Sequence, residues 1–151
     1  MFGVLDEITI RLYFASGAGN AEAIAGPTVS EERKRFYREV RPLLERLSDV
    51  AVVHVAHYLV QTLEALVPTD PAGVFALIAR SVRSSEQGGY ALEQMAADLI
   101  VRIVERYLAD HREVFADPDR LRDLMDCLDV FVRAGWPSTQ SLTFRLGEIW
   151  R

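Results

Sequence analysis

Apolar positions recur at helical spacing along almost the whole chain. From Ser30 onward, Phe36, Val40, Leu43, Leu44 and Leu47 fall at i, i+4, i+7, i+8 and i+11, one face of an amphipathic helix. Thr28 and Glu31 have capping-box spacing at its start. Pro42 lies inside the pattern and is expected to kink this helix or to start its second half, because it has no N–H to donate and crowds the preceding turn. The stretch 50–67 is apolar nearly all round. Its main polar residues, His54, His57, Gln61 and Glu64, form one narrow stripe at i, i+3, i+7 and i+10. A helix with so little polar surface is expected at the centre, with Val53, Ala56, Leu59, Val60 and Leu63 in the core.

Asp70-Pro71 reads as a helix start, with Asp as N-cap and Pro at the first helical position. That helix carries Val74, Leu77, Ile78 and Val82 inward and ends before Gly88-Gly89. The next runs over about 90–110, with Leu92, Met95, Leu99, Ile103 and Tyr107 as its seam and Asp98–Arg102 as a surface ion pair. Asp117-Pro118 repeats the cap-plus-proline start. Leu121, Leu124, Met125, Leu128 and Val132 are its expected inner face, and Gly135 its end. Pro137 opens a last helix with Leu142, Leu146, Ile149 and Trp150 inward. At the N-terminus, Val4, Leu5, Ile8 and Leu12 suit a helix, whereas Ile8, Ile10, Leu12 and Phe14 alternate as a strand would. Helix is the expectation, since a lone strand has nothing to pair with. The organisation is therefore one all-α domain over 1–151: an N-terminal helix at 1–15, a Gly-rich loop at 16–29, and helical repeats from 30 to 151.

Composition narrows this only slightly. Half of the 151 residues are hydrophobic and 26% are charged, an ordinary globular mixture. The longest apolar run, 51–60, is interrupted by His54 and His57 and falls well short of the roughly 20 residues that span a bilayer. The N-terminal Met-Phe-Gly-Val-Leu-Asp-Glu has no basic region ahead of an apolar stretch, unlike a secretory signal. With Cys127 as the single cysteine there is no internal disulfide, and a reducing, cytoplasmic setting is expected. A formal net charge of −5 argues against nucleic acid as a partner. Of the 17 basic residues only Lys34 is lysine, a usage typical of GC-rich bacterial genomes.

Three clusters carry candidate chemistry. His54 and His57, three apart on one helix, could converge on a metal with Gln61 or Glu64 beside them. The plainer reading is the wet stripe of a buried helix. Arg33, Lys34, Arg35, Arg38 and Arg41 cluster, and Lys34, Arg38 and Arg41 share a face that suits a phosphate-bearing partner. Glu31, Glu32, Glu39 and Glu45 are interleaved with them, which favours a solvated face. Asp119, Asp123 and Asp126 lie on one stripe and could hold a hard cation, but Arg120, Arg122 and Arg133 lie nearby. Gly17-Ala18-Gly19 lacks the third glycine and the following βαβ unit of a dinucleotide loop. No nucleophile elbow or P-loop is present, and no cofactor is expected. The partner-binding candidates are Lys34, Arg38, Arg41, His54, His57 and Gln61.

The two Asp-Pro starts lie 47 residues apart. Within that frame, Pro42-Leu43-Leu44-Glu45-Arg46-Leu47-Ser48-Asp49 followed by Val53, Ala56 and Leu59 resembles a HEAT unit. His54 stands where that pattern has arginine, and the later pairs lack the first-helix proline. The resemblance, to HEAT/armadillo repeats, implies a right-handed stack of antiparallel helix hairpins, an α-solenoid fragment of six to seven helices. It implies a non-catalytic scaffold that binds another protein or other domains of its own parent chain. Neither end reads as a polar capping repeat. The run from Phe131 to Arg151 is similar to the tail of large multidomain bacterial proteins. Two other functions remain open: a metal-binding or enzymatic bundle centred on His54 and His57, and a regulatory or sensor domain of an ATPase-containing protein.

Overall fold

A computed structural model describes residues 2–18, 29–50, 52–87, 94–133, 142 and 144–147. Among these the chain is helical with no strand. The helices are α1 (Phe2–Ala15), α2 (Glu31–Leu47), α3 (Val53–Leu66), α4 (Pro71–Gln87), α5 (Gln94–Asp110) and α6 (Pro118–Arg133). Short 3-10 turns at Val67–Thr69 and Arg112–Ala116 lead into α4 and α6.

Helix wins over strand in α1 because its buried residues follow a helical stripe. Thr9, Leu12 and Ser16 are buried, and Leu5 and Ile8 pack against the core. The Thr9 hydroxyl donates to the Leu5 carbonyl at 2.6 Å, so burying it leaves no donor unpaired. Val4 does not join this face and is exposed.

The N-cap of α2 is Ser30, whose hydroxyl accepts from the Arg33 N–H at 3.2 Å. The proposed Thr28–Glu31 box is displaced by this cap, and Thr28 lies outside the described residues. α2 runs through Pro42 without ending. Pro42 is exposed, so the carbonyl that loses its helical donor faces water. The inner face is Tyr37, Val40, Leu44 and Leu47, rotated from the expected one. Leu43 is left exposed and Phe36 only half-buried.

α3 is central as expected. Ala56, Leu59, Val60 and Leu63 are buried, joined by Val55, Ala65 and Leu66. The side chain of Val53 lies outside the description. The α4 residues Val74, Leu77, Ile78 and Val82 and the α5 residues Leu99, Ile103 and Tyr107 are buried, as their periodicity predicts. Leu92 and the side chain of Met95 are not described, nor are Gly135, Pro137, Ile149 and Trp150. On α6, Leu124 and Leu128 face inward, but Met125 and Val132 are exposed. The α6 stripe that meets α4 carries Asp123, Leu124 and Cys127, which leaves Met125 and Val132 on the opposite side.

The closest packing is of α4 on α6, of α1 on α3 and, between successive helices, of α3 on α4, with lighter contacts elsewhere. α1 packs on α3 and α3 on α5, while α2 packs on α4 and α4 on α6. α3 also touches α2 and α4, which joins the two rows. Leu142 and Leu146 are buried, and Arg145 pairs with Glu105 of α5 at 2.6 Å, so the C-terminal turn extends the α3–α5 row.

Neighbouring helices in the α2–α4–α6 row run parallel, as their polar links show. Tyr37 of α2 meets Asp70 at the start of α4, and Asp49 just after α2 meets Arg80 further along α4. Likewise Arg83 of α4 meets Asp123 and Asp126, and Glu86 meets Arg133 further along α6. In both helix pairs of this row, partner numbers rise together.

Candidate functional site

Asp70 fixes the junction of α2, α3 and α4. Its carboxylate caps α4 by accepting the Gly73 N–H at 3.1 Å, and its other oxygen accepts from the Tyr37 hydroxyl at 3.1 Å. A Cβ on Gly73 would collide with that carboxylate and stand 3.1 Å from the Tyr37 hydroxyl, so this helical position needs glycine despite its propensity cost. Burial, and next the Asp70 charge, push the Tyr37 phenol up to about 12. Tyr107 of α5 donates to the Pro71 carbonyl at 2.7 Å, and burial raises its pKa as well. Both tyrosines stay neutral donors near neutral pH. The cluster has the chemistry of a structural latch, with hydroxyls satisfied and no open space beside them.

The aspartate stripe of α6 is taken up by arginines. Asp123 is buried and pairs with Arg83 of α4 and with Arg120 of its own helix at 3.2 Å. Asp126 also engages Arg83, at 2.9 Å. Two cations already neutralise these carboxylates, so the hard-cation reading of Asp119, Asp123 and Asp126 is withdrawn. Among the described residues no group of three or more histidine, cysteine or carboxylate ligands is placed to hold a metal.

The histidine stripe stays at the surface. His54 is exposed, and His57 and Gln61 are half-buried. The His57 ring lies edge-on to Tyr58, with centroids 5.7 Å apart. Glu64, the fourth member, is held by a two-pronged contact from Arg102 of α5, at 3.1 and 2.8 Å. Arg102 thus bridges two helices of a row, where the sequence suggested an intrahelical pair with Asp98. With Glu64 engaged, the carboxylate that would complete a metal site is already neutralised.

Lys34, Arg38 and Arg41 are all exposed on α2. Lys34 pairs with Glu31 at 3.0 Å and Arg41 with Glu45 at 3.2 Å. They sit in the α2–α4 row and the histidines in the α3–α5 row. No hydrogen bond, ion pair or ring contact among the described residues joins the two sets. Lys34, Arg38 and Arg41 thus belong to α2, and His54, His57 and Gln61 to α3.

Two open clefts border the described residues. One, of about 250 Å³, is lined by Ser16, Ser30, Glu32, Arg33 and Phe36. The other, of about 180 Å³, lies between Glu105, Leu108, Leu142 and Arg145. In the first, the Ser16 hydroxyl donates to the Tyr13 carbonyl and the Ser30 hydroxyl accepts from the Arg33 N–H, beside Glu32. Cys127, the only thiol, is fully buried, and burial pushes its pKa up to about 12. A protonated, enclosed thiol is a poor nucleophile. Cys127 is expected to resist maleimide or iodoacetamide in the folded protein and to react on denaturation. Alkylation at the same rate in both states would disprove its enclosure.

Sequence reasoning missed Tyr37, Arg83 and the Asp49–Arg80 link, made at 2.6 Å. Only the Asp70 cap left a local trace; the others depend on which helices become neighbours. Compared with known families, curated proteins and solved structures, the chain matches no family model, no curated protein and no solved structure.

Proposed function

We propose that this chain is a non-catalytic helical scaffold of α-solenoid type, acting as an interaction module or as a structural segment of a larger protein. The observation that carries the reading is the close packing of α1 on α3 and of α4 on α6, helices separated by one other in sequence, with arginine–carboxylate pairs tying the end of α2 to α4, α4 to α6 and α3 to α5. In repeat proteins each unit contacts its neighbours along the stack, leaving long outer surfaces for partners. Of the buried polar residues, Thr9, Ser48 and Thr62 donate to carbonyls one turn back in their own helices, and Asp123 ties α6 to Arg83 of α4. A partner is expected to use the α2 face around Lys34, Arg38 and Arg41 or the α3 stripe of His54, His57 and Gln61.

The test compares the wild type with two variants as bait: Lys34→Glu/Arg38→Glu/Arg41→Glu and His54→Gln/His57→Gln. A binder retained by the wild type and lost by one variant, with unchanged circular dichroism, is expected. Binding indifferent to both variants would remove these faces from the reading.

The alternative, a metal-binding or enzymatic bundle, rests on the His54–His57 spacing alone. Added zinc is expected to leave the melting temperature of the wild type unchanged. The double His→Gln variant should melt within a few degrees of it, since the two residues differ by only tenths of a kcal/mol in helix propensity. A zinc-dependent rise in the wild type that disappears in the variant would favour the metal site instead.

A further inference from the structure

We draw no further inference here: the strongest candidate, the exposed apolar side chains Val4 and Phe14 on α1 and Met125 and Val132 on α6, has its charged neighbours Arg11 and Asp129 already paired to Glu7 and Arg133, and nothing in the structure shows what covers it.

Discussion

Phe75→Ala is expected to lower the unfolding free energy by about 3–5 kcal/mol. Phe75 has no exposed surface. Its ring meets Tyr107 of α5 at 4.9 Å between centroids and Phe115 of the 112–116 turn at 5.0 Å, both nearly perpendicular. Edge-to-face pairs of this kind add about 0.5–1.5 kcal/mol beyond the area they bury. Three elements converge on the ring, so none can collapse into the space it leaves without dragging the others. Urea denaturation followed by circular dichroism measures the loss. A change below about 1 kcal/mol would show that α4, α5 and the turn are not joined through this ring.

The same measurement on Leu63→Ala should show a loss of roughly 2–5 kcal/mol. Leu63 is fully buried on α3, the helix that touches both rows. The flanking positions Leu59, Val60, Leu66 and Val67 are buried as well, so the cavity has rigid walls. A loss under about 1 kcal/mol would place α3 at the surface and break the connection between the rows.

These two residues differ in how far the sequence reveals them. Leu63 belongs to a stretch apolar on nearly every side, and such a stretch is buried whatever its neighbours. Phe75 and Phe115 belong to different elements, and nothing local says that their rings meet. The same division runs through the rest of the fold. The start of α4 was legible because Asp-Pro acts on the adjacent turn, and so was the inward face of that helix. The inner face of α2 was misjudged because Tyr37, which looks polar, is taken inward by Asp70, a partner 33 residues away. Met125 and Val132 were placed inside because periodicity finds an apolar stripe but does not tell whether a helix has one neighbour or two. Among the described residues α6 packs on α4 and on the 112–116 turn, and neither covers Met125 and Val132. For the candidate surface, spacing identified the histidine stripe and the basic face of α2 correctly as solvent-facing. It gave no sign that Glu64 is held from α5 or that α6's aspartates are neutralised from α4, because those partners are set by tertiary neighbours.

The alternate-helix packing also bears on how the chain reaches this state. The side-chain hydrogen bonds that tie one helix to another join positions only 31 to 43 apart. Each new helix therefore docks on chain folded shortly before it, and none of these bonds joins the two ends of the described chain. Loop-closure entropy stays small at every step, a low contact order that favours rapid folding. Opening should run the other way, fraying first at α1 and α6 and last at α3 and α4, so that the most slowly exchanging amides mark the middle of the stack.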